Sequence, residues 1–312
     1  GVSFPDCFTK NYLNPDFFTA ENVARVKSEY EDFARYLASF PGKTFIISHW
    51  EGDNDIYCGA AWLATAESCP GAPRAMNGMR EWLKARSDAI RSVGAANVKS
   101  SVEFNIVRIL DRKGLPSVLY NVIPDVDADF YSYSSYESLE GFYKGDSGVQ
   151  FREDLELIRS VLSAGGHSPD SLIIGEIGFD KGTREQNRQY LQQALQILAE
   201  YNVPDIFVWN LLDADGPFGL YDASKNLTAV GNFLCGGWNG NDCGPKFSIK
   251  NITAIARNPR FWNVDSWRLE LTGAEPEAEV SVCAEKDGGS LGCTPAADLG
   301  IGAPETTDGQ GV

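Results

Sequence analysis

Basic residues are scarce in this chain: 27 Lys and Arg stand against 43 Asp and Glu, for a formal net charge of −16 over 312 residues. That balance opposes binding to nucleic acid phosphates or to anionic membranes, both of which need a positive patch. Histidine is rarer still, at two residues, and no Cys-x-x-Cys pair occurs. A structural zinc site is therefore not expected. No stretch approaches the roughly 20 apolar residues of a membrane span, so no membrane insertion is expected. The chain contains no Walker loop, no dinucleotide glycine fingerprint and no HExxH, which removes the commonest forms of nucleotide-binding protein and zinc protease. DVDAD (125–129) and DADG (213–216) lack the EF-hand spacing. No metal and no organic cofactor is implied, and no internal repeat is visible.

What is present fits a folded domain: 43% hydrophobic and 12% aromatic residues can build a large core. Six of the seven cysteines fall into sequence-local pairs, Cys58 with Cys69, Cys235 with Cys243 and Cys283 with Cys293. Such loop staples belong to an oxidising compartment, so a secreted or cell-surface location is expected. Asn226 in NLT and Asn251 in NIT match glycosylation acceptors. Cys7 is left over.

Apolar spacing predicts a helix over 17–40, with Thr19 as N-cap, followed by a strand at 44–48. A long loop (55–77), a helix (78–94) and strands at 98–109 and 117–123 come next. The second of these runs into a polar, tyrosine-rich segment, DADFYSYSSYES. Helix 152–164 precedes strand 172–176, and helix 184–201 precedes strand 205–211. Strand–helix alternation argues for a parallel sheet with right-handed crossovers. From residue 236 the texture turns to Gly, Asn and Asp. Residues 266–273 and 278–285 are expected to form an antiparallel pair. The expected organisation is a catalytic unit over 1–235, a small appendage over 236–290 and a flexible tail or linker over 291–312.

Two of the buried-strand runs end in a glutamate beside glycine: KTFIISHWEGDN (43–54) with Glu51 and SLIIGEIGFD (171–180) with Glu176. A glutamate at the end of such a strand stands at the rim of the sheet, where barrels of alternating strands and helices collect their catalytic groups. Two converging carboxylates supply an acid and a nucleophile for glycosidic bond cleavage.

GEIG, VWNLLDAD and HWEGDN together resemble, over roughly residues 17–235, the clan A retaining glycoside hydrolases, in a cellulase-like branch. The resemblance implies a (β/α)8 TIM barrel in which these three segments are the seventh, eighth and fourth strands. Five strands can be counted, so the first three strand–helix units are expected to lie upstream of this sequence, and Cys7 would find its partner there. It also implies Glu176 as nucleophile, Glu51 as acid/base and Trp209 as the floor of a sugar subsite. Tyr131 or Tyr133 stands where the clan often has a tyrosine bonded to the nucleophile. The clan usually has asparagine before the acid/base, whereas this chain has Trp50 preceded by His49. His49 or Asn54 is then the expected substitute for the missing sugar contact. Trp50 is a second candidate stacking face.

Several residues carry two readings from sequence. Glu103, in VEFN, divides between a structural role and substrate binding. Trp82 and Arg86 share a helical face and divide between packing and a lip contact. His167 reads as a solvated loop residue. The expected partner is a carbohydrate, a β-linked oligo- or polysaccharide. The alternative is a barrel that binds carbohydrate without cleaving it, for which the altered residue before Glu51 is the best support.

Overall fold

A computed structural model describes residues 11–57, 71–211, 217–222, 224 and 226–239, together with the backbone of three strands between 265 and 295. Residues 58–70 of the expected loop, Cys7, Cys58, Cys69, Cys243, Asn251 and the acidic run 213–216 lie outside the described residues.

Helix α1 (Ala20–Ala38) starts where Thr19 accepts the Asn22 N–H, as its sequence predicts. Strand β1 (Phe45–Ile47) is buried at all three positions. A short helix α2 (Gly52–Ile56) begins at once after Glu51. Helix α3 (Ala72–Ser92) then leads into β2 (Val98–Phe104). Residues of α1, β1, α3 and β2 share one apolar cluster, in which Leu37, Phe45, Ile47, Ile90 and Val98 meet. Helix–strand packing of this kind covers one face of a parallel sheet.

The next segment departs from expectation. SVLYNVI (117–123) is not a strand: it forms helix α5 (Val118–Asn121) after the short α4 (Arg108–Lys113), then a 3-10 turn over Ile123–Asp125. Val118, Leu119, Val122 and Ile123 are all buried, and their spacing of one, four and five is helical. Ser117 caps the turn by accepting the Tyr120 N–H. The strand of this unit is β3 (Phe130–Ser134), inside the tyrosine-rich segment. The acidic run before it is tied to neighbouring elements: Asp125 pairs with Arg80, Asp127 with Arg91, and Asp129 accepts from the backbone and hydroxyl of Ser100.

Helices α6 (Tyr136–Tyr143) and α7 (Val149–Ala164) precede β4 (Leu172–Ile177), whose six residues are all buried. Helix α8 (Arg184–Glu200), opened by a Thr183–Gln186 capping box, leads to β5 (Ile206–Val208) and α9 (Ala229–Asn239). The five strands pair in sequence order, β1-β2-β3-β4-β5, and every pair is parallel. The result is a half-barrel of strand–helix units. Among the described residues no helix is long and apolar enough to cross a membrane.

Cys235 of α9 is disulfide-bonded, and Asn226 is exposed with its amide donating to Asp222. A second unit carries three antiparallel strands, β6 (Asp265–Leu271), β7 (Val280–Lys286) and β8 (Gly289–Pro295). Its third strand runs across the boundary between residues 290 and 291, beyond which a flexible tail is expected from sequence. The register sets Cys283 opposite Cys293.

Candidate active site

Strand β3 alternates in the way a pleated strand must. Ser132 and Ser134 face Glu103, while Tyr131 and Tyr133 face outward beneath the helices. Tyr131 donates to the Val126 carbonyl at 2.9 Å and lies 2.7 Å from His167 Nδ1. Tyr133 stacks on Phe104 and shares a hydrogen bond with Ser138. Neither tyrosine bonds Glu176 among the described contacts, so that expectation is corrected by strand parity. His167 is not a solvated loop residue either, since its Nε2 also reaches the Ile123 carbonyl at 2.9 Å.

The tyrosine on Glu176 is Tyr136, two residues beyond the end of β3, whose hydroxyl donates to Glu176 Oε2 at 3.1 Å. A register shift makes this meeting possible. Ile174 of β4 pairs with Tyr133, but the next pair is Ser134 with Glu176, so Gly175 is the extra residue of a bulge. Bulges at sheet rims re-aim side chains. Both glycines of GEIG answer to close approaches: a Cβ on Gly175 would collide with Ser132 Oγ, and one on Gly178 with the Trp209 carbonyl.

Glu51 and Glu176 are each about 6% exposed, and both line one cleft of about 520 Å³. Trp50, Tyr136, Trp209 and Phe218 share its wall. Trp50 is 40% exposed, unusual for so large an apolar ring. Asn54 donates to Glu51 Oε2, and its own Oδ1 is buried without a described partner. Asn54 therefore steadies the carboxylate, and it is not part of the cleft wall.

His49 is not part of the cleft wall. Its Nδ1 lies 2.7 Å from the Trp50 carbonyl and its Nε2 accepts the Glu103 N–H at 3.0 Å. Those partners fix the neutral tautomer, with the proton on Nδ1. Burial, and then the nearby Arg86 charge, hold the ring well below the usual histidine range.

Glu103 also lies outside the cleft wall. Its Oε1 accepts from Ser134 at 2.7 Å, and its Oε2 from Ser48 at 3.3 Å and Ser132 at 3.4 Å. Substrate binding by this carboxylate is thus replaced by contacts inside the sheet. Trp82 and Arg86 resolve to packing: both are buried, with the guanidinium 5.0 Å from the ring centre.

Asp53 is not part of the cleft wall. Its Oδ2 accepts the Asn105 and Ile106 N–H groups at 3.1 and 3.3 Å, and its Oδ1 the Val118 N–H at 2.8 Å. It thereby pins the loops after β2 and before α5. Burial raises its pKa to about 6, against the lowering effect of those N–H donors. Among the described residues no group of three His, Cys, Asp or Glu side chains is arranged to hold a metal ion.

No protein-family model matches the chain, and no curated protein matches it. Among solved structures it is similar to the apo structure of a β-glucosidase 1317, at 14% identity and a TM-score of 0.44, over 69% of this chain and 64% of that one. It is also similar to the monomer of a hyperthermophilic β-glucosidase mutant that forms a dodecameric structure in the crystal form. There the identity is 15% and the TM-score 0.42, over 71% of this chain and 61% of that one. The matches span less than two thirds of either structure's length.

Proposed function

We propose that this chain is a glycoside hydrolase that cleaves β-linked oligo- or polysaccharide with retention of configuration. The observation that carries the reading is the shared cleft: two buried glutamates, from the ends of β1 and β4, line it together with Trp50 and Trp209. Buried glutamates are rare unless something requires them. In this reading the five parallel units are part of a (β/α)8 barrel.

Glu176 is the nucleophile. Its ionised carboxylate attacks the anomeric carbon while the bond to the leaving oxygen breaks, and the carboxyl of Glu51 gives that oxygen its proton. Water then attacks the same carbon, returns a proton to Glu51 and frees Glu176. Retention requires the two carboxyls roughly 5–5.5 Å apart. The Tyr136 hydroxyl favours the ionised form of Glu176, because a donor stabilises the charged state. Asn54 holds the Glu51 side chain in one orientation. Trp50 and Trp209 offer apolar faces that exclude water from a sugar ring.

A carbohydrate-binding barrel without catalysis is the second reading, favoured by Trp50 standing where the clan has asparagine. Glu176→Gln separates the two. Under the hydrolase reading it abolishes turnover of β-glycosides and leaves sugar affinity nearly unchanged. A wild-type protein that binds the same sugars but turns over none of a broad panel would favour the binding module.

A further inference from the structure

We propose that Glu103 is a positioning residue, which sets the ends of the strands bearing Glu51 and Glu176 relative to each other. The proposal rests on the hydrolase reading above. One carboxylate, 4% exposed in β2, accepts hydrogen bonds from the β1 and β3 sides and closely approaches β4. On the β1 side it accepts from Ser48, three residues before Glu51. On the β3 side it accepts from Ser132 and Ser134, and Ser134 is the register partner of Glu176. On the β4 side its Oε2 would lie 3.0 Å from a Cβ on Gly175, the residue before Glu176. The Glu103 N–H closes the arrangement by donating to His49 Nε2, in the segment that delivers Glu51.

Serine hydroxyls are neutral, so they satisfy a carboxylate without cancelling its charge. Arg86 of α3 is the buried cation near it, and its electrostatic surroundings include Glu103 and Tyr30. Besides Glu51 and Glu176, the ionisable groups on the packed elements include His49, held neutral after β1, Asp53 and Asp55 on α2, Tyr131 and Tyr133 on β3 and Tyr136 on α6. A retaining pair works only at a narrow separation, and a displacement of about 1 Å costs roughly a hundredfold in rate. A single anion bonded on the β1 and β3 sides and packed close to Gly175 of β4 is suited to keeping that separation.

The test is Glu103→Gln, read in two ways. In glycoside hydrolysis kcat is expected to fall roughly tenfold to a hundredfold while KM stays within about threefold. In protein labelled with 13C at the glutamate carboxyls, with Glu51→Gln and Glu176→Gln assigning the signals, both titration midpoints are expected to move to lower pH, because a nearby negative charge has gone. Wild-type kcat with unmoved midpoints overturns the proposal. So does a loss of kcat that follows a loss of melting temperature while the midpoints stay put. If the wild type hydrolyses no glycoside, the hydrolase reading fails, and the titration still decides for or against Glu103. Should Glu103→Gln not fold, Ser134→Ala removes the shortest contact: a lower kcat at constant KM and a displaced Glu176 midpoint are expected, and no change in either overturns the proposal.

Discussion

Tyr136 donates a hydrogen bond to Glu176 Oε2 across 3.1 Å, joining the first residue of α6 to the bulged end of β4. A hydrogen bond to a charged group contributes about 1.5–3 kcal/mol. Tyr136→Phe is accordingly expected to lower kcat roughly tenfold to a hundredfold and to leave the fold intact. It should also move the acidic limb of the pH–rate profile to higher pH, since the ionised nucleophile loses a donor. Steady-state kinetics across pH check both, and an unmoved limb would remove Tyr136 from the mechanism.

Strand β3 shows why this tyrosine is hard to find from sequence while Glu51 and Glu176 are not. FIIS and LIIGEI are short apolar runs of the kind that buried parallel strands produce, and each delivers its glutamate to the rim. FYSYS has no such run, because its inward residues are Ser132 and Ser134, held by Glu103. SVLYNVI looks more like a strand, yet its apolar residues lie on one side of a helical turn. Once β3 is misplaced, Tyr131 and Tyr133 become the natural candidates. Alternation within FYSYS was the available signal: it puts both tyrosines on the outer face and leaves Tyr136, just past the strand, at the rim. Thr19 and Thr183, by contrast, start α1 and α8 through side-chain caps, and caps are local enough to be read directly. No local pattern marks His49 as bound on both ring nitrogens, since one partner lies 54 residues away.

Asp53 gives a prediction about stability. Its folded pKa, raised to about 6 mainly by burial, exceeds the unfolded value of about 3.9. Below the unfolded value both states are protonated. Between the two values only the unfolded state ionises, so stability falls as pH rises through that window and levels off above it. The loss is on the order of 2–3 kcal/mol. Urea unfolding of wild type and Asp53→Asn from pH 4 to pH 7 should show the wild type's advantage shrinking with pH. An advantage that grows with pH would mean that the backbone donors outweigh burial.

Gly175→Ala should destabilise the protein by about 1–3 kcal/mol, the usual cost of overpacking, because the new methyl meets Ser132 Oγ and crowds Glu103. Adding Ser132→Ala should recover part of that loss. Thermal melts of the single and double variants test the pair, and a fully stable single variant would show that the close approach is relieved at no cost.

Trp50→Ala should raise KM, or weaken sugar binding, by about tenfold, which is close to 1.4 kcal/mol, with little change in melting temperature because the ring is 40% exposed. Isothermal titration with a non-hydrolysed sugar, using Glu176→Gln as background, isolates binding from turnover. Unchanged affinity would make Trp50 a bystander on the cleft wall.

The central claim is that Glu176 forms a covalent bond to the sugar. The most direct measurement is mass spectrometry after incubation with a panel of 2-deoxy-2-fluoro β-glycosyl fluorides, which slow the second step of a retaining mechanism. The account predicts one added fluoroglycosyl mass on the peptide that contains Glu176, absent from Glu176→Gln. A wild type that binds these sugars yet carries no adduct, or carries it on another residue, would contradict it.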